Sequence, residues 1–285
     1  MAGRRVRGRD HARVHRVPEP RVRPGPRRNG HLPVTRARRA RPRPSLPLRI
    51  VSVIGELLIT TGVLVGLFVV WQLWWTDIQA EREQEATFAA LGWEPPTYEA
   101  APAESVHHDD EPPVMETPAE GETFGRLYVP RFGQDYVVPV TEGVGKADVL
   151  DKGEAGHYPE TVLPGGVGNF SLAAHRTTYG KPFHLIADMQ AGDAIVVQTE
   201  DTWYVYEATE SLVVLPHQVE VIAPVPGTLP GAEIPEPTER FITLTSCHPM
   251  FSARERYIVH GTLKYWMPVS SGTPEELLPA AEGGR

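Results

Sequence analysis

The sequence predicts an all-β domain, a small closed or partly open barrel, carried behind one membrane-spanning helix. Three observations lead there. From Phe124 onward, short runs alternate apolar and polar residues between Gly, Pro and Asp, the texture of strands and turns. Residues 50–75 form a 26-residue apolar run, IVSVIGELLITTGVLVGLFVVWQLWW. The charge divides at that run. Residues 1–49 hold 16 arginines, no lysine and two acids, a net of +14, while the rest carries 12 basic and 34 acidic side chains, a net of −22.

Residues 1–49 are rich in Arg, Pro and Gly and too poor in apolar side chains to bury a core, so a disordered arm is expected. The acidity of the remainder argues against a nucleic-acid-binding globular domain. The arm fits a solvated segment close to anionic lipid. As a helix, residues 50–75 reach about 39 Å, enough to cross a hydrocarbon core with some tilt. Trp71, Trp74 and Trp75 belt its C-terminal end. Basic residues favour the cytoplasmic side, which puts the N-terminus in the cytoplasm and the barrel outside the cell. A cleaved signal peptide fits less well, because the basic region and the apolar core are both too long. Glu56 is the one charge in the span. Hydration near the cytoplasmic edge is the plain reading, and helix–helix pairing the alternative.

Residues 76–122 are expected to form a helical stalk followed by an acidic, Pro-rich linker. Residues 94–122 hold nine acids, six prolines and no basic residue. At up to about 3.1 Å per residue this linker could hold the barrel tens of ångströms from the bilayer. His107-His108-Asp109-Asp110 resembles metal-ligand chemistry but reads as solvated linker.

The barrel is expected over residues 123–267, with strands near 125–129, 136–140, 169–175, 193–199, 202–214, 241–247 and 256–263. Helical pieces are expected near 146–152, 182–189 and 217–221, and the five prolines within 224–237 mark a loop. Residues 268–285 read as a flexible tail rich in Ser, Gly, Pro and Glu. Glu220, Glu233, Glu236 and Glu239 read as a solvated acidic surface rather than a calcium site. No metal cage stands out, and no cofactor is expected.

Cys247 is the only cysteine, so no internal disulfide is possible. It ends a predicted strand, where a side chain is exposed while the sheet holds its backbone. His175 ends another predicted strand, where it can exchange protons with a bound substrate. Arg256 opens the last strand and shares a face with Arg254. A guanidinium there favours the charged thiolate and can hold the oxygen of a tetrahedral intermediate. Nucleophile, acid–base and oxyanion stabiliser are three roles that acyl transfer needs. Composition and spacing alone leave a structural reading open: Cys247 as a small core residue, His175 as a turn histidine, Arg256 as a strand-edge ion pair.

Thr243-Leu-Thr-Ser-Cys247 resembles the Thr-Leu-x-Thr-Cys signature of sortases, the cysteine transpeptidases of Gram-positive cell surfaces. TLTSCHPMFSARERYIVHG is similar to the class E branch of actinobacteria, in which Arg256 matches the catalytic arginine. Ala174-His175-Arg-Thr-Thr-Tyr-Gly resembles the block that carries the catalytic histidine. GELLIT…LWWTD is similar to the anchor of that branch. Ser246 departs from the usual Thr. The resemblance implies an eight-stranded barrel with His175, Cys247 and Arg256 catalytic. It implies exported proteins with a C-terminal sorting signal as substrates, LPxTG-like in general and LAxTG-like for class E, cleaved between Thr and Gly through a Cys thioacyl intermediate. The acceptor it implies is an amine of lipid II or of a peptidoglycan cross-bridge. A pilin-polymerising sortase is the alternative role. An L,D-transpeptidase fits poorly, because Cys247 is followed by His-Pro and not by x-Arg. A non-catalytic barrel that binds wall polymer is the remaining alternative.

Overall fold

The structure, a computed structural model, describes residues 45–93, 107–229, 231–233 and 235–279. It divides into two units, Met1–Gly55 and Glu56–Arg285. The described part of the first is the opening of helix α1, Leu46–Leu91. Pro47 sits in its first turn, where a missing N–H costs nothing. Gly92 ends the helix at φ 65°, a left-handed cap that other residues adopt poorly. With 46 residues, α1 is about 69 Å long and apolar enough to cross a membrane over part of that length. Of the arm expected to be disordered, residues 1–49, residues 1–44 lie outside the described residues, whereas residues 46–49 already form the start of α1.

Eight strands close a barrel in the order β1-β2-β3-β4-β7-β8-β6-β5. They are β1 Thr123–Tyr128, β2 Val137–Glu142, β3 Ala155–His157, β4 Gly168–Ala173, β5 Ala194–Gln198, β6 Thr202–Val214, β7 Arg240–His248 and β8 Glu255–Pro268. The β2–β3 and β4–β7 pairs are parallel, and the others are antiparallel. Residues two apart enter the core together, as period-two geometry requires: Phe170 and Leu172, Ile195 and Val197, Tyr204 and Tyr206, Ile242 and Leu244. The strand missing from the seven expected is β3. Three residues with glycine at the centre give no alternation to detect. The expected helices shrink to 3₁₀ turns at Leu150–Lys152, Ile186–Asp188 and Val219–Ile222.

Two segments expected to be loose are held on the barrel. The opposite faces of β5, β6 and β8 are also apolar, with Val196, Trp203, Val205, Tyr265 and Met267 buried, and they need an outer cover. The C-terminal segment supplies it. Leu277 packs there, Trp203 Nε1 donates to Gly272 O at 3.0 Å, and Tyr265 donates to Glu276 at 2.5 Å. The linker also returns to the barrel. His108 pairs with Trp266 through backbone bonds of 2.9 and 3.0 Å, and the His107 ring stacks on Tyr265 at 3.7 Å. Pro112 is buried, and Tyr204 donates to Pro113 O at 2.7 Å. The chain is therefore not a free tether from His107 on. Residues 94–106 and 280–285 lie outside the described residues.

Candidate active site

The register of the barrel brings the predicted residues together. The parallel pair β4–β7 matches Ala173 with Thr245. His175 and Cys247 each lie two residues further along, on the face shared with that last rung. Cys247 is in turn the direct antiparallel partner of Arg256 on β8. Three side chains from three adjacent strand ends thus line one pocket at the barrel rim, with Tyr158, Lys146 and Leu150 around them. Arg254 precedes β8 and is exposed, outside this pocket. Cys247 is half-buried and carries a free thiol.

His175 lies just past β4, not within it as the sequence suggested. Its Nε2 meets Asp151 Oδ1 at 2.7 Å, and its ring stacks on Tyr179 at 5.2 Å. Asp151 belongs to the 3₁₀ turn between β2 and β3. Only its place in a short predicted helix was legible in the sequence. The carboxylate sets the tautomer and tilt of the imidazole, as orienting carboxylates do in Cys–His and Ser–His enzymes. Arg256 Nη1 donates to Ala253 O and Glu255 O, each at 2.9 Å, which fixes the head of the side chain at the pocket wall.

Arg176 was also missed. It is buried and reaches across to β7, where Nη1 donates to His248 Nδ1 at 2.8 Å and to Cys247 O at 3.3 Å. Its guanidinium lies over the Tyr257 ring at 5.6 Å. It therefore ties the loop of the histidine to the strand of the thiol. The only sequence signal was an arginine directly after His175. Ser246 is buried on the other face, and its hydroxyl donates to Ala174 O at 2.8 Å. Serine makes this bond without the extra methyl of threonine, so the departure leaves the strand pairing intact. The Tyr158 hydroxyl is 3.1 Å from Thr245 Oγ1 and lines both this pocket and an apolar groove formed by Val214, Val219, Val221 and Ile222.

Two further polar clusters lie outside this pocket. His157 and Glu142 form a buried pair at 2.6 Å inside the barrel. His260 is hydrogen-bonded to Thr243 at 2.9 Å, and burial holds its pKa below the ordinary value despite the opposing charge of Glu210. Among the described residues no group of three or more His, Cys, Asp or Glu side chains is placed to hold a metal ion. Glu233, Glu236 and Glu239 are exposed, and Glu220 is half-buried.

The sortase domain family matches residues 127–264. Sortase SrtE1 of Streptomyces coelicolor is 39% identical over 79% of this chain, which covers 60% of that relative's length. Sortase SrtE2 of the same organism is 38% identical, over 79% of this chain and 87% of its own length. The SrtA sortase from Actinomyces oris superposes with a TM-score of 0.56 at 47% identity, covering 61% of this chain and 97% of that one. Sortase E1 from S. coelicolor, solved with a tripeptide in the active site, superposes at 0.50 with 40% identity over 57% of this chain and 100% of that one. A closed eight-stranded barrel, one strand-end cysteine and these relatives agree, and the chain belongs to the sortase family of cysteine transpeptidases.

Proposed function

We propose that this chain is a membrane-anchored class E sortase. It cleaves an LAxTG- or LPxTG-like sorting motif between Thr and Gly and transfers the exported protein to a cell-wall amine, from lipid II or a peptidoglycan cross-bridge. The observation that carries the reading is the meeting of His175, Cys247 and Arg256 in one rim pocket. The Cys247 thiolate attacks the Thr carbonyl carbon and forms the S–C bond. Arg256 stabilises the oxygen as it gains charge. His175, oriented by Asp151, protonates the departing glycine nitrogen as the C–N bond breaks. An acceptor amine then attacks the thioester, gives its proton to His175 and releases the thiolate. The apolar groove beside Thr245 and Arg256 suits the apolar residues of such a motif. Sortase E1 of S. coelicolor holds a tripeptide in its active site, which supports a peptide substrate for this chain as well.

The +14 arm and the apolar helix support a cytoplasmic N-terminus and an extracellular barrel. Pilin polymerisation remains the alternative role.

The test is mass spectrometry of products from the full chain in detergent, given LAxTG and LPxTG peptides with a glycine amine. Transfer product from either peptide is expected. Neither product nor thioacyl-enzyme, with folded protein, overturns the reading. For orientation, protease added outside wall-stripped cells is expected to cut within residues 94–106 and spare the arginine arm. Digestion of the arm instead reverses the topology.

A further inference from the structure

We infer that the stalk, the part of α1 that follows the tryptophan belt, is a positioning element of the active site and not only a tether. The inference rests on the reading of His175 as the acid–base.

One helical face, Asp77, Ala80, Gln84 and Thr87, meets two loops of the barrel. The spacing of three, four and three residues puts these side chains on a single stripe. Asp77 accepts the Gly180 backbone N–H at 3.2 Å and pairs with Lys181 at 2.7 Å. Gln84 donates to the Gly153 carbonyl, and Thr87 donates to Glu154 at 3.0 Å. Ala80 is buried, 1% exposed, although the apolar side chains of α1 from Ile50 to Val70 are exposed.

The two loops are the ones that hold His175. Loop 150–154 carries Asp151, bonded to the imidazole. Loop 176–181 follows His175 directly and carries Tyr179, stacked on its ring. Both loops turn at the stalk through glycines with positive φ, Gly153 at 82° and Gly180 at 72°. A Cβ on Gly153 would stand 2.9 Å from Ala80 Cβ, and one on Gly180 would stand 3.0 Å from it. The seat is thus three small residues in mutual contact, a close approach that side chains would forbid. The stalk clamps the orienting carboxylate and the histidine loop from one side, while Arg176 ties that loop to Cys247 from the other. The stalk belongs to α1, the helix that also supplies the apolar span.

The test uses the full chain in detergent. Ala80→Leu wedges the seat open, Asp77→Lys repels Lys181, and Gln84→Ala removes one bond with little risk to folding. Asp77→Lys with Lys181→Asp restores the ion pair in reverse. Arg82→Ala, on the exposed face, is the control. A displacement of about 1 Å costs on the order of 10²-fold in rate. The expected result is a fall in kcat of about tenfold or more for Ala80→Leu and Asp77→Lys, with a smaller fall for Gln84→Ala. KM and Tm should change little, and the charge-swapped pair should recover activity. Wild-type kcat in all three variants overturns the inference. So does a fall in kcat that only follows a fall in Tm, or no recovery in the swapped pair. An inactive His175→Ala beside fully active stalk variants would leave the proposed function standing and remove this inference alone.

Discussion

Replacing Arg256 by alanine isolates the oxyanion role proposed for it. Cys247 and Arg256 are direct partners on β7 and β8, and such pairs hold their Cβ atoms about 4.5–5.5 Å apart. A carbonyl carbon bonded to the sulfur therefore forms beside the guanidinium. Ala253 O and Glu255 O occupy Nη1, and a guanidinium has five N–H donors, so donors remain for the substrate oxygen. Removing one donor of this kind costs about 10²–10³ in kcat, or about 2.7–4 kcal/mol of transition-state stabilisation. The assay is steady-state transfer from a fluorogenic sorting peptide to a glycine amine, with thioacyl-enzyme followed by intact mass. Arg256→Ala should lose kcat by that factor with KM little changed. Arg256→Lys should also be poor, since an ammonium keeps the charge without the planar fork. Arg254→Ala should retain most activity, because Arg254 is exposed and precedes the strand. A loss in Arg254→Ala equal to that in Arg256→Ala would refute the reasoning, as would less than about a tenfold loss in Arg256→Ala.

Cys247→Ala should abolish transfer and thioacyl formation while far-UV circular dichroism stays unchanged, because a half-buried strand-end thiol leaves little void; residual transfer would remove the nucleophile assignment. Asp151→Asn should lower kcat about 10–100-fold, the worth of a hydrogen bond to a charged group, and wild-type turnover would show that His175 needs no orienting carboxylate. Folding stability should fall on acidification. Burial depresses the His260 pKa, so near its ordinary value of about 6.5 the unfolded chain binds more protons than the folded one. This contribution is present above about pH 6.5 and is lost as pH drops toward the folded value. Thermal melts from pH 8 to 5 should show the loss, and His260→Gln should flatten it; an equal slope in the variant counts against the assignment.

The sequence by itself singled out the candidate site residues. The single cysteine Cys247, His175 and Arg256 stand at the ends of runs of strand-like alternation, and the resemblance to the sortase motifs, more than spacing, proposed a catalytic role for each. The sequence also determined the apolar helix, because length and hydropathy act locally, and seven of the eight strands, because period-two alternation is visible within each. The eighth, β3, is three residues long and exists only because β2 and β4 lie on either side of it. Composition misjudged residues 107–122 and the start of the tail. Proline and acidic side chains describe what a segment cannot bury alone, whereas Tyr265, Trp203 and the outer face of β8 decide whether a neighbour will cover it. Partners far apart in sequence were equally out of reach. Asp151 meets His175 across 24 residues, and Arg176 meets His248 across 72. The stalk meets the histidine loop across 103, from Asp77 to Gly180. Such contacts depend on strand order and register, and only the closed barrel, with β4 parallel to β7, sets them.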